Sequence, residues 1–269
     1  MGIILGTLFL LLGFVIGSFI NALSFRYDSG KSILTRSVCF SCGKEIYKRD
    51  LVPVLSFLLL KGRCRFCHSK ISFQYPFVEV LSGLVFLATF LKFRIFLYSG
   101  VFSTPLFLWV VFLHLAFWSA FLFISIYDLK HKIVPNEAVY LMMLLGALPL
   151  LFHFYMPIVY TASILFVCFF SLWFFSSGRL IGFGDVKIIL ALGLFFNPAI
   201  AVSGVFLSFW IGALYSVFAL LSQKVGLNLG GKKLTIKSEV PFVPFMFLGF
   251  LLAFWFGFDF LSINALMGL

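Results

Sequence analysis

The fold is decided by one apolar run, VKIILALGLFFNPAIAVSGVFLSFWIGALYSVFALL (Val186–Leu221), which holds 36 residues. A membrane-spanning helix needs about 20 apolar residues to cross about 30 Å of hydrocarbon. The run is therefore too long for one straight span and slightly short for two. Asn197-Pro198 interrupts it, and an Asn-Pro pair favours a turn between helices. We predict two spans that meet at this pair.

The rest of the chain has the composition of a membrane protein. Of its 269 residues, 62% are hydrophobic and 11% are charged, and 40 are phenylalanines. A soluble domain has about 25% charged and about 45–50% apolar residues, so a water-soluble globule is excluded, as are a disordered chain and a disulfide-rich secreted scaffold. We predict an all-α polytopic membrane protein with about eight transmembrane helices. The six other spans are expected at about Ile3–Leu23, Phe77–Leu91, Pro105–Ile126, Ala138–Phe152, Pro157–Ser176 and Pro241–Leu261.

The basic residues are distributed very unevenly among the predicted loops. Loops after odd-numbered spans carry 18 lysines and arginines, and those after even-numbered spans carry two, Lys92 and Arg94. Because short cytoplasmic loops collect Lys and Arg, the odd loops are expected in the cytoplasm and both termini outside it. A seven-span topology would place the four lysines of Lys224–Lys237 outside the cytoplasm, against this rule, and is therefore rejected. The net charge of +11 follows from this bias and from attraction to anionic lipids, so the expected partner is the bilayer and not nucleic acid.

Residues 24–76 form a polar cytoplasmic insertion between the first span (1–23) and a core of seven helices (77–269). The insertion contains CFSC (Cys39–Cys42) and CRFC (Cys64–Cys67). Two Cys-x-x-Cys pairs can place four thiolates tetrahedrally around one zinc ion, and a module this small needs a metal to fold. We predict one structural zinc held by Cys39, Cys42, Cys64 and Cys67. Disulfides or redox thiols are the alternative, disfavoured in a reducing cytosol.

Two of the nine acidic residues are candidates for chemistry. Asp128 and Asp185 lie 57 positions apart, yet the predicted topology places both at the cytoplasmic ends of their spans. Carboxylates in or near a bilayer are costly and are functional candidates. Two that meet in a semi-dry site cannot both ionise easily, which is the basis of aspartyl proteolysis. Two alternatives stay open: anchoring pairs with Lys130 or Lys187, or a carboxylate relay in a proton-coupled transporter.

Several other ionisable or reactive residues are expected to have no catalytic role. Glu79 and Glu239 are expected at span ends, His68 beside the zinc site as a bystander, and Cys168 as packing within a span. Neither His114 nor His153 has an evident nucleophile nearby, and the chain has no G-x-S-x-G elbow.

With these motifs in place, the chain resembles the type IV prepilin peptidases of bacteria over nearly its whole length. The second catalytic motif of that family, G-x-G-D, fits GFGDVK (Gly182–Lys187), and the first resembles YDLKHKIVPN (Tyr127–Asn136). Three further segments are similar to the family in the same order: GSFINALSFR (Gly17–Arg26), the two cysteine knuckles through ISFQYPFVEVLSG (Ile71–Gly83), and VPFVPFMFLG (Val240–Gly249).

The resemblance implies an intramembrane aspartyl endopeptidase of the bacterial inner membrane, with Asp128 and Asp185 as its catalytic pair. Its substrates would be type IV prepilins or type II secretion pseudopilins, cut after a glycine at the cytoplasmic face. Many members with the cysteine insertion also methylate the new N-terminus with S-adenosylmethionine. Here the usual DNIP segment is Asp50-Leu51-Val52-Pro53 and Phe40 replaces a proline; these departures affect the methyltransferase more than the peptidase, and Asp50 is a methylation candidate or an ordinary surface charge.

Two other functions are alternatives to this interpretation. A presenilin-like intramembrane protease would share the Tyr127-Asp128 and G-x-G-D motifs, but the chain has no Pro-Ala-Leu near its last span. A zinc-stabilised membrane scaffold or transporter is the alternative without catalysis.

Overall fold

The computed structural model describes residues 2–29, 32, 35–98, 103–152, 155–224, 240–260 and 262. Four of the lysines used for the topology (31, 232, 233 and 237), together with Glu239 and His153, lie outside the described residues. The helices are α1 (Gly2–Arg26), α2 (Leu55–Leu59), α3 (Gln74–Tyr98), α4 (Thr104–His131), α5 (Asn136–Phe152), α6 (Met156–Ser176), α7 (Phe183–Phe195), α8 (Pro198–Lys224) and α9 (Val243–Phe256), with a 3-10 turn at Lys48–Leu51.

The predicted fold class, an all-α membrane protein with a small cysteine-bearing insertion, is confirmed. Within the described residues, five helices (α1, α3, α4, α6 and α8) are long and apolar enough to cross a membrane. The helices α5, α7 and α9 have 17, 13 and 14 residues, fewer than the roughly 20 that a straight crossing needs. Eight crossings therefore stay a prediction.

The break at Asn197-Pro198 is confirmed as a helix boundary. The helix α8 begins at Pro198, and the Asn197 Oδ1 accepts a hydrogen bond of 2.9 Å from the backbone N–H of Ile200. This is N-capping by an asparagine followed by proline at the first helical position. The last helix is shorter than the predicted Pro241–Leu261, because Gly257 adopts a left-handed φ of +66° after Phe256, which ends the helix.

The chain divides into two compact units, Met1–Phe123 and Ile124–Leu269. In the first unit, α1 packs along α3 through small residues. A methyl group added at Gly13 would lie 2.6 Å from the Gly83 Cα, and one added at Gly17 would lie 2.7 Å from the Glu79 Cα. The two backbones thus approach as closely as glycine allows.

In the second unit, α7 packs against α5 and α6, and α8 packs against α9. The last pair is equally close, since a methyl group at Gly249 would lie 2.4 Å from the Ser208 Oγ. The second unit also contains the C-terminal end of α4, so both aspartates predicted as catalytic belong to it.

Candidate active site and metal centre

Asp128 lies in the last turn of α4 and is buried, with 5% of its surface exposed. Its Oδ2 accepts a hydrogen bond of 3.3 Å from the backbone N–H of Val243, the first residue of α9. The N–H groups of a first helical turn have no partner within the helix. The carboxylate therefore lies at the N-terminus of a helix that follows it by 115 residues.

Asp185 is the third residue of α7. Gly182 before the helix is extended, with φ −74° and ψ 146°, and its carbonyl accepts a hydrogen bond of 3.1 Å from the Asp185 N–H. A methyl group at Gly182 would meet only the Asp185 Oδ2, at 3.3 Å, so the half-buried carboxylate folds back over the start of its own helix. The positive end of the helix dipole favours a negative charge there.

Asp128 and Asp185 lie near each other in the second unit. They belong to different helices of the same unit, and the Asp128 carboxylate is close enough to Asp185 for their charges to interact. A shared catalytic role for these two side chains stays a prediction.

Val134, just before α5, and the first turns of α5 contact the start of α7. The sequence did not predict these contacts. Val134 packs on Gly184, where an added methyl group would lie 2.8 Å from the Val134 Cβ. The Lys187 Nζ donates a hydrogen bond to the Asn136 Oδ1 and lies 5.8 Å from the ring centre of Tyr140. The ammonium group thus contacts Asn136 and an aromatic ring, which weakens the interpretation of Lys187 as an anchor for Asp185.

We expect Gly184→Ala to lower the predicted proteolytic activity by about ten- to a hundredfold. The new methyl group would clash with Val134, a stiff β-branched side chain, and the first turn of α7 would move with Asp185. Misplacement of a reacting group by about 1 Å can cost about a hundredfold in rate. The measurement is the initial rate of substrate cleavage in membranes at equal protein content.

The matched control for Gly184→Ala is Gly212→Ala, in which the added methyl group meets the Phe245 ring at an ordinary 3.4 Å. It should cleave at the wild-type rate. Adding Val134→Gly to Gly184→Ala should restore part of the activity, since it removes the clashing atoms. A Gly184→Ala enzyme with undiminished activity would contradict the role given to this contact.

The four cysteines of the insertion form one cluster. The sulfur atoms of Cys39, Cys42, Cys64 and Cys67 all lie within 4.8 Å of one another, and the Cys39 and Cys67 sulfurs are 3.8 Å apart. A tetrahedral zinc with bonds of about 2.3 Å separates its sulfur ligands by about 3.8 Å. The donor set and the spacing thus fit zinc, and all four thiols are free of disulfides.

The local backbone prepares part of this cluster for metal binding. The N–H groups of Cys42 and Ser41 lower the pKa of the Cys39 thiol to about 6, and the Ser69 hydroxyl lowers the pKa of Cys67. For Cys42 the N–H of Lys44 acts in the same direction, but desolvation and the neighbouring sulfurs prevail and raise its pKa to about 11. A cation is needed to hold all the sulfurs as thiolates together.

Asp50 and Cys168 differ from their sequence interpretations. Both carboxylate oxygens of Asp50 accept hydrogen bonds from the Arg65 guanidinium, at 2.6 and 2.8 Å, and this bond holds the pKa of Asp50 below its usual value. The Asp50–Arg65 ion pair therefore links the turn Lys48–Leu51 to the second cysteine pair, Cys64–Cys67. Cys168 lies within the candidate span α6, as predicted, but its side chain is exposed on the helix surface and does not pack in the protein interior.

Fold and site together define a multi-pass membrane protein with a four-cysteine module and two carboxylates at helix ends. Two family profiles match it: the Bacterial Peptidase A24 N-terminal domain over residues 11–93 and the Type IV leader peptidase family over residues 115–217. The first range contains the four cysteines and the second contains both aspartates. The chain belongs to the Type IV leader peptidase family and is a peptidase of that family.

Relatives of the chain are found in several bacteria. The prepilin leader peptidase/N-methyltransferase of Bacillus subtilis is 28% identical over 263 residues, which cover 96% of each chain. The protein of the same name from Klebsiella pneumoniae is 30% identical over 70% of this chain and 83% of that one. That of Pseudomonas putida is 26% identical over 93% and 90%. No solved structure matches the chain.

Proposed function

We propose that the chain is an intramembrane aspartyl endopeptidase that removes the basic leader of prepilins or pseudopilins. The observation that carries this proposal is that Asp128 and Asp185, at two helix ends of one unit, are close enough for their charges to interact. The names of the relatives, prepilin leader peptidase/N-methyltransferase, supply the substrate class.

The reaction uses the two carboxyl groups as a pair that shares one proton. The ionised carboxylate accepts a proton from a water molecule, whose oxygen forms a bond to the scissile carbonyl carbon. The protonated partner donates a hydrogen bond to the carbonyl oxygen and protonates it as the tetrahedral intermediate forms. The C–N bond then breaks as the leaving amine takes up a proton from one carboxyl group, while a hydroxyl of the intermediate gives its proton to the other and becomes the carbonyl of the product, which restores the singly protonated pair. The net reaction adds one water across one peptide bond.

The cut is proposed to fall at the cytoplasmic face of the inner membrane, after a glycine that ends the leader. The positive-inside distribution of Lys and Arg supports this orientation, with both termini outside the cytoplasm. A leader with basic residues would remain in the cytoplasm for the same reason, and the apolar part of the substrate would enter the bilayer.

We also propose that the four cysteines hold one structural zinc, because their sulfur spacing fits a tetrahedral ion. The second activity in the relatives' name needs S-adenosylmethionine. Asp50 stays either a candidate for that activity or an ordinary charge, and its ion pair with Arg65 supports a structural role. Proteolysis by the aspartate pair requires no cofactor.

The test is a cleavage assay with the full-length protein in membranes. The substrate carries a short basic leader, then glycine and phenylalanine, and the control substrate has valine in place of that glycine. We expect the first to be cut at the glycine and the second to remain intact. Failure to cut the glycine substrate, with the enzyme inserted and folded, would contradict the proposed function.

A further inference from the structure

The short helix α2 of the insertion exposes apolar side chains to the surroundings of the protein. Its leucine face consists of Leu55, Leu58 and Leu59, which are 52%, 65% and 73% exposed. Phe57 turns the other way, towards Gly62, and its ring contacts that of Phe73. The leucine face thus has the exposure of a lipid-facing helix surface, although α2 belongs to the polar insertion.

A contact with α3 fixes the depth at which α2 begins. The backbone N–H of Val54, next to the first residue of α2, donates a hydrogen bond of 2.7 Å to the Glu79 carboxylate. Glu79 is buried and lies five residues, or about 7.5 Å, along the spanning helix from Gln74. The candidate span Gln74–Ile95 has 22 residues, about 33 Å against about 30 Å of hydrocarbon. With this span centred in the bilayer, Glu79 lies about 6 Å inside the edge of the hydrocarbon, so the start of α2 lies at its shallow margin.

The backbone at Val54 is held in a strained turn that directs α2. Val54 has φ +60° and ψ −52°, and the Leu55 N–H bonds to the Pro53 carbonyl across it. This is a γ-turn of the rare strained kind, at a β-branched residue that avoids positive φ. The hydrogen bond to the buried Glu79 offsets that strain and fixes the position of the leucine face.

Basic side chains flank the leucine face on both sides along the chain. Lys48 and Arg49 precede α2, Lys61 and Arg63 follow it, and all four are exposed. Apolar residues at the centre with Lys and Arg around them are typical of segments that lie in a membrane interface. Basic residues near an anionic membrane surface are attracted to its headgroups.

We propose that the leucine face inserts into the membrane leaflet on the side of the insertion, with the flanking basic residues on anionic headgroups. The zinc-bearing module is then fastened to the bilayer surface at two places, through Glu79 on α3 and through α2 in the lipid. The occupant is the lipid itself, because the contact with Glu79 sets α2 at the depth of the hydrocarbon edge and the flanking charge matches anionic lipid.

The test measures the depth of α2 in the full-length protein. A fluorescent amino acid replaces Leu58, and the protein is reconstituted, below one copy per vesicle, in phosphatidylethanolamine and phosphatidylglycerol. We expect lipids with bromine on the upper acyl chain to quench the probe and aqueous iodide to leave it bright. The control probe replaces Glu45, whose side chain is 58% exposed, and should show the opposite pattern.

Two further variants make the result decisive. A probe at Leu59 should repeat the Leu58 pattern, which guards against a local effect of one replacement. In a Leu55→Ser/Leu59→Ser background, the Leu58 probe should lose quenching by bromine and gain quenching by iodide. If both leucine probes respond to iodide and not to bromine, as at Glu45, the proposal is overturned and the face is left for a polypeptide or a second copy.

Discussion

Asp185→Asn and Asp128→Asn are each expected to lower leader cleavage by about a thousandfold or more. An asparagine amide can neither accept the proton of the attacking water nor share one with its partner, and acid–base steps of this kind contribute about 10²–10⁴ in rate. Loss of either member removes the function of the pair, so the double variant should be little worse than each single one. The measurement is single-turnover cleavage of the glycine substrate in membranes.

Asparagine keeps the size of the side chain, and its Oδ1 can still accept the Val243 N–H, so the fold around Asp128 should survive. Asp259→Asn is the matched control, since Asp259 lies beyond the last helix of the same unit and should leave cleavage unchanged. Insertion is checked by protease accessibility of the loops. A properly inserted Asp185→Asn enzyme that cuts at nearly the normal rate would remove Asp185 from the mechanism.

Much of the helix pattern follows from local chemistry, and that part was predicted. At the boundary Asn197-Pro198, the asparagine side chain caps α8 and the proline is its first residue. Both effects can be predicted from these two adjacent residues. The four-cysteine cluster was predicted for a similar reason, because Cys-x-x-Cys spacing lets two sulfurs bind the same metal ion. The sequence did not predict the end of α9 before Gly257, because apolar residues continue beyond the helix.

The parts that the sequence did not reveal depend on which helices pack together. The contact between Asp128 and the N–H of Val243 joins residues 115 positions apart, and a backbone donor leaves no residue-specific signal. The one clue was Pro244, which favours a helix start just before it. The left-handed backbone at Val54 runs against the preference of valine and exists because the buried Glu79 accepts its N–H.

Cys64→Ser is expected to reduce the zinc content from one ion per chain to nearly none. Cys64 is the most buried of the four clustered cysteines, and zinc binding to small cysteine sites contributes about 10–16 kcal/mol to their folding. Its loss should unfold the segment between α1 and α3. The measurements are metal analysis of the purified protein and hydrogen exchange along the chain.

Exchange should rise throughout residues 35–73 and change little in α7 and α9, because the contacts of the aspartates lie in the second unit. Cys168→Ser, on the exposed face of α6, is the matched control and should keep both zinc and protection. Full zinc content in the Cys64→Ser protein would show that the metal is held elsewhere. Because α1 and α3 contact each other through Gly13 and Gly17 without help from the insertion, the helical part should stay inserted, so zinc binding and peptide cleavage can be lost separately.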